Sequence, residues 1–347
     1  MDIPGLLAFS LKNHASDLHL SAGMPPLLRI HGEMRKINLP ALDAATLSAM
    51  LETIMDPVQR RCFEAELECD FALSLPVLGR FRVNLFRQLR GPAAVIRTIA
   101  ADIPTLAQLQ APPVLAELAL RQQGLVLITG PTGSGKSTTL AALVRHINAN
   151  RRAHILTIED PVEFIHSPDQ SLINQRAVGS HTHGFAAALR AALREDPDVI
   201  LIGELRDLET IRLALSAAET GHLVLATLHT SSAAKSIDRL IDVFPGEEKE
   251  MVRTMLSESL SAVVSQVLLK NAAGDGRLAA YEILLATSAV RNLIREGKVA
   301  QMVSVMQTSA GCGMQTLDQC LHGLLQKGLI DAADARRIAR LPEQFGQ

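Results

Sequence analysis

The chain has 347 residues, 48 % apolar and 20 % charged, ample for a core divided between two domains with a helical appendage. Its 34 Lys and Arg against 36 Asp and Glu leave a formal charge of −2, so no global basic field points to nucleic acid or anionic lipid. Aromatic residues are 3 % and Trp is absent, which argues against stacking platforms for single strands.

The opening "MDIPGLLAFSLKNHASD" lacks the basic n-region of a signal peptide. No apolar run approaches the ~18 residues that span a bilayer, so a soluble chain that meets membranes only through partners is expected. Cys62, Cys69, Cys312 and Cys320 show no C-x-x-C spacing and read as free, buried thiols of a reducing cytosol.

In chain order, the first hundred residues read as a small α/β unit. "DLHLS" (17–21) alternates as a strand, and "LLRIHGEMRKI" (27–37) reads as a hairpin turning at His31, Gly32 and Glu33. "DAATLSAMLETIMDPVQRRCFEAE" (43–66) has helical periodicity with Asp43 as its cap. The short strands "CDFALSL", "RFRVNLFRQ" and "AAVIRTI" follow, and the Pro-bearing stretch 101–113 marks a linker.

From Leu125 the style changes. Short β runs ("LVLITG", "HILTIED", "VILIGE", "HLVLATL") alternate with Ala-rich helical stretches such as "FAAALRAALRED". That pattern predicts a buried, mostly parallel sheet with helices on both faces. Past residue 285 the strands stop, and "SAVRNLIREG", "MQTLDQCLHGLLQKG" and "DAADARRIARLP" predict a helical C-terminal region.

"GPTGSGKS" (130–137) fits G-x-x-x-x-G-K-[ST] between a strand and a helix. Gly130, Pro131, Thr132, Gly133, Ser134, Gly135, Lys136, Ser137 and Thr138 are the candidate nucleotide-binding residues. Backbone N–H groups there can curl around phosphate oxygens, Lys136 can reach the β- and γ-phosphates, and the Ser137 hydroxyl can ligate Mg²⁺. A cation of this kind answers the acidic cluster of "ILTIEDPVEF", where Glu159, Asp160 and Glu163 crowd the end of a strand. Glu163 can act as a general base on the attacking water; Glu159 and Asp160 are candidates for such work or for capping and ion pairing. Glu204, ending "VILIGE", fits a Walker B acid that meets the metal directly or through water. His222 and His229 flank the strand in "TGHLVLATLHT", where sensing of the γ-phosphate and a purely structural role stay equally open.

The glycine loop, "IEDPVEF", "LREDPDVILIGELRDLETI" and "AAETGHLVLATLHT", in this order, closely resemble the secretion and type IV pilus motor ATPases. "ASDLHLSAGMPPLLRIHGEMRKI", "SAAKSIDRLIDVFP", "AVRNLIREGKVAQM" and "GMQTLDQCL" resemble the pilus retraction subgroup, so the likeness covers essentially the whole chain. The resemblance implies an α/β fold, with an N-terminal PAS-like domain (1–100), the linker 101–113, a RecA-like P-loop NTPase core (114–285) and a helical C-terminal region (286–347). It implies a cytoplasmic homo-hexamer, peripheral to the inner membrane at the pilus base, that binds ATP and Mg²⁺ between subunits and drives twitching motility. Its implied partners are the inner-membrane platform protein of the pilus machine and a second retraction ATPase, with no nucleic acid.

By the same resemblance, Lys136 binds phosphate, Glu163 is the base, Glu204 is the Walker B acid, and His222 and His229 form the histidine box. Arg82 and Arg97 match N-domain arginines that reach a phosphate across the subunit interface. The His-rich turn 181–183 and Tyr281 depart from the subgroup's pattern. The alternatives are a pilus assembly or type II secretion ATPase and, from other classes, a nucleic-acid translocase or a small-molecule kinase. "LLKNAAGDGRLAAYE" carries no cysteine where assembly relatives often have a metal knob, which favours retraction. In "SAVRNLIREG", Ala289, Val290, Leu293 and Ile294 form an apolar stripe beside Arg291 and Arg295, a candidate transmission helix or a core contact.

Overall fold

The computed structural model describes residues 2–30, 32–99, 102–274 and 276–346. The chain divides into two compact units, one of Met1–Asp102 with Pro161–Phe164 and the other of Ile103–Asp160 with Ile165–Gln347.

The N-terminal unit is built on six antiparallel strands: β1 (Asp17–Ser21), β2 (Leu27–Ile30), β3 (Glu33–Lys36), β4 (Glu68–Leu75), β5 (Gly79–Gln88) and β6 (Gly91–Ile99). Their order is β3-β2-β1-β6-β5-β4. Alternation sorts β5 by face: Phe81, Val83 and Leu85 are buried with Leu18, Leu20 and Ile96, which leaves Arg80, Arg82 and Asn84 on the other side. The β2–β3 hairpin forms as the sequence predicts, with Ile30 opposite Glu33; His31 lies outside the described residues.

Two local expectations change. The helical run 43–66 is two helices, Ala44–Glu52 and Pro57–Glu66. Asp43 caps the first, donated to by the Thr46 N–H. Pro57 cannot continue a helix but suits a first turn, and Asp56 caps the second helix through Val58 and Gln59. A helix over Ile3–Lys12, capped by Asp2, was not foreseen; the Asp2/Pro4 pair is its sequence signal.

The second unit carries seven strands: β7 (Gly124–Thr129), β8 (His154–Glu159), β9 (Leu172–Ala177), β10 (Val199–Ile202), β11 (Leu223–Leu228), β12 (Leu260–Lys270) and β13 (Arg277–Leu285). Their order is β13-β12-β7-β11-β10-β8-β9, parallel except for the β12–β13 hairpin. Every residue of β7, β10 and β11 is buried, as a sheet covered on both faces requires. The glycine loop leaves the C-terminal end of β7, and the helix Lys136–Asn150 follows. Helices Ser288–Arg295, Met302–Thr308, Leu317–Gln326 and Ala332–Ile338 make up the C-terminal part. Among the described residues no helix is long and apolar enough to cross a membrane. All four cysteines are free; Cys69 is buried, but Cys62 and Cys312 are exposed, contrary to the expectation of buried thiols.

Candidate nucleotide site

The loop after β7 is shaped by its glycines. Gly133 and Gly135 have φ of 78° and 86°, where a side chain is strained. At Gly130 (φ 144°) a Cβ would lie 2.3 Å from the Gln266 carbonyl oxygen, so no other residue fits. Gly135 stands at the N-cap of Lys136–Asn150 without a side-chain cap, so the first turn's N–H groups are open to an anion. Ser134 Oγ is buried without a hydrogen-bond partner among the described residues, a cost that an incoming acceptor relieves.

Lys136 is buried, and its Nζ donates to the carbonyls of Gly130 (2.9 Å) and Pro131 (3.0 Å), inside its own loop. The same Nζ lies 3.5 Å from His229 Nδ1, and His229 Nε2 lies 3.4 Å from Glu204 Oε2. Lysine donates and carboxylate accepts, so the contacts fit an imidazole protonated at Nε2. The strand register explains the convergence. Leu228 pairs with Thr129, so His229 emerges beside Gly130, and Glu204 leaves the end of the neighbouring strand β10. Burial raises the Glu204 carboxyl, but Arg206 at 2.8 Å and His229 outweigh it and hold the group below its ordinary value. Glu204 is therefore an anion at neutral pH.

His222 is elsewhere. It precedes β11, and Leu223 pairs with Gly124 at the far end of β7 from the loop. Six strand residues at ~3.3 Å each separate the two histidines. His222 Nδ1 instead meets the Ala217 carbonyl at 3.0 Å, at the end of helix Leu208–Glu219. The structure does not bring the two histidines together on the loop of this chain.

Glu163, Arg82 and Arg97 fall in the N-terminal unit. Arg82 forms a two-point pair with Asp70 (2.7 and 3.3 Å) and lies 3.7 Å from the Glu163 carboxylate. Arg97 pairs with the buried carboxylate of Asp17 at 2.8 Å. Glu159 accepts from Thr157 Oγ1 (2.6 Å) and Gln175 Nε2 (3.3 Å), while Asp160 is exposed.

Sequence reasoning missed Gln266. This buried amide on β12 donates to the Ser134 carbonyl (2.6 Å) and accepts from Thr139 Oγ1 (2.9 Å), clamping the glycine loop and the helix behind it. Its signal was a lone amide within the apolar run "LSAVVSQVLLK". The expected basic row is also resolved: Arg291 donates to the carbonyls of Ala286, Ser257, Glu258 and Leu260, and Val290 and Ile294 lie in the main core. Ala289 is exposed, so the apolar stripe is narrower than its spacing predicts.

The donor set fits a nucleotide with a hard cation. Ser137 is exposed in the helix's first turn and Glu204 offers a charged oxygen, ligands of the kind Mg²⁺ takes. Among the described residues no three His, Cys, Asp or Glu side chains gather to hold a metal unaided. A glycine loop closing a parallel-sheet strand, with a lysine, an acid and a histidine converging on it, defines a P-loop nucleoside-triphosphatase. The chain belongs to the family described as Type II/IV secretion system protein, whose model matches residues 6–275.

Among relatives, the type IV pilus retractation ATPase PilT of Pseudomonas aeruginosa is 59 % identical over 345 residues, 99 % of this chain and 100 % of that protein. The twitching motility protein of Neisseria gonorrhoeae is 57 % identical over 320 residues, 92 % of this chain and 86 % of that one. The crystal structure of the pilus retraction motor PilT with bound ADP superposes with a TM-score of 0.90 at 44 % identity, covering 99 % of this chain and 98 % of that chain. The α/β fold, with its N-terminal unit ahead of a RecA-like ATPase unit, is thus that of a retraction motor.

Proposed function

We propose that this chain is the motor ATPase of type IV pilus retraction, coupling hydrolysis of ATP to pilus disassembly and twitching motility. The convergence of Lys136, His229 and Glu204 on one glycine loop carries the enzymatic part. The full-length likeness to a retraction ATPase supports the mechanical part. Ser137 and Glu204 would be the protein's oxygen ligands for the Mg²⁺ that accompanies ATP, a cation that would offset charge on the phosphates. Lys136 exchanges the Gly130 and Pro131 carbonyls for phosphate oxygens, and His229 links the lysine to the Walker B acid. Glu163 takes the proton of the attacking water.

Arg82 and Arg97 serve ATP held by another copy in a homo-hexamer, which keeps 1–100 as a PAS-like domain, 101–113 as linker, 114–285 as core and 286–347 as the helical region. The ring works in the cytoplasm against the inner-membrane platform protein, with a paralogous ATPase as a second partner and no nucleic acid. Deleting the chain in a piliated host is the test. Excess pili that do not retract are expected; loss of all pili would instead make it an assembly ATPase.

A further inference from the structure

The acidic segment is irregular from Asp160 to Pro168, with no helix or strand to fix its backbone. A general base needs a fixed backbone, because its carboxylate must reach a particular water at hydrogen-bond distance. Something outside the segment has to hold it.

Arg80 does so. Its guanidinium donates to the carbonyls of two successive residues, Nη2 to Val162 and Nη1 to Glu163, each at 2.9 Å. Arg80 is itself held in the β4–β5–β6 ladder, opposite Ser74 on one side and Ile99 on the other. The planar fork suits two neighbouring carbonyls in a way a lysine's point charge does not. Val162 and Phe164, on either side of Glu163, are buried, and the fork holds the backbone between them.

Arg80 and Arg82 stand two apart on one face of β5 and divide the labour. Arg80 binds the main chain beneath Glu163, whereas Arg82 meets the carboxylates of Glu163 and Asp70. We infer that Arg80 is a positioning residue for hydrolysis, setting where the Glu163 carboxylate stands without touching nucleotide or water. The inference rests on the reading of Glu163 as the base. It has a corollary: the base segment belongs by its contacts to the N-terminal unit, whereas Lys136 and Glu204 belong to the other.

The test is steady-state ATPase of the full-length assembled protein, with binding of a fluorescent ATP analogue measured in parallel. Arg80→Ala should lower kcat by roughly 10- to 100-fold, the scale of a catalytic group displaced by about an ångström. KM and analogue affinity should stay within about twofold, because the glycine loop is untouched. Arg80→Lys keeps one donor point and should recover part of kcat. Wild-type kcat in Arg80→Ala, or a loss of affinity and thermal stability without a kcat defect, would overturn the inference. If Arg80→Ala fails to assemble, Arg80→Lys decides: lowered kcat at unchanged KM supports positioning, and wild-type kcat refutes it. Glu163→Gln separates the two layers. If it is inactive while Arg80→Ala turns over normally, the base stands and positioning falls. If Glu163→Gln turns over normally, both fall.

Discussion

Arg82 and Arg97 stand directly opposite one another on β5 and β6, on the face turned away from the Phe81–Val83 core, and their side chains reach acids on opposite flanking strands, Asp70 on β4 and Asp17 on β1. Like charges in such a cross-strand pair repel, and the fold tolerates them by giving each an acid, Asp70 to Arg82 and Asp17 to Arg97. The role proposed for both is at a phosphate held by a second copy, where an arginine supplied in trans would stabilise the transferring phosphoryl group.

Arg97→Ala should therefore show two separable defects. It strands Asp17, whose remaining side-chain partner is Ser16 at 2.7 Å, and should cost about 1–3 kcal/mol of stability in the N-terminal unit. The double variant Asp17→Asn/Arg97→Ala should recover the melting temperature but not hydrolysis. Mixing Arg97→Ala chains with Glu204→Gln chains should restore some turnover, because Glu204 belongs to the other unit and some interfaces then pair two intact halves. Full recovery of activity in the double variant would leave Arg97 with a structural role alone.

Lys136→Ala removes the ammonium group that meets the Gly130 and Pro131 carbonyls and His229. Losing one charge-assisted phosphate contact costs about 1.5–3 kcal/mol, so ATP affinity should fall roughly 10- to 100-fold and hydrolysis to background. Titration of a fluorescent nucleotide checks this directly.

Gln266→Leu should behave differently, raising KM and lowering stability together. It leaves the Ser134 carbonyl and the Thr139 hydroxyl without the amide that serves both, at about 1–3 kcal/mol for each stranded group. A melting curve with and without nucleotide should show partial recovery when ATP refixes the loop. An unchanged KM would mean the clamp is not needed for binding.

The pH dependence of stability should carry the mark of His166. Burial lowers its pKa from 6.5 to about 4, so the folded chain keeps the ring neutral where the unfolded chain protonates it. Between those values the unfolded state binds more protons, and stability should fall as pH drops from 6.5 towards 4, by on the order of 3 kcal/mol across the window. His166→Gln should flatten this slope, as read from urea midpoints at successive pH. An identical slope in the variant would assign the acid loss to other groups.

Ile294→Ala should unfold the C-terminal part and reduce hydrolysis in parallel. Its side chain is fully buried in the main core, and such truncations cost about 2–5 kcal/mol. If this helix passes motion to a partner, its exposed positions Ala289 and Arg295 are the ones to change. A charge at Ala289 should spare ATPase activity and impair retraction in cells.

The glycine loop and the buried strands were legible because their signals are local: glycines where φ is positive, and apolar runs of strand length. The breadth of the C-terminal stripe was not, since periodicity cannot reveal that Arg291 spends its guanidinium on four carbonyls or that Ala289 faces solvent. The histidine pair shows the limit most clearly. Two residues flanking one strand look like a single feature in sequence, yet a strand has two ends, and only His229 emerges at the loop. The partnerships of Arg80 with Glu163 and of Gln266 with Ser134 span 83 and 132 positions, and no local pattern encodes them.

Gln266 also sets an order of events in synthesis. The loop it clamps is complete by Thr139, but the amide that fixes its shape emerges 127 residues after Thr139, on a strand that must first pair with β7. Contacts of such separation form late, after the loop-closure entropy has been met. A chain stalled or cut before β12 therefore carries every residue of the phosphate-binding motif without the clamp that shapes it. The clamp that tightens the loop's hold on nucleotide is thus added only when about three-quarters of the chain has been made.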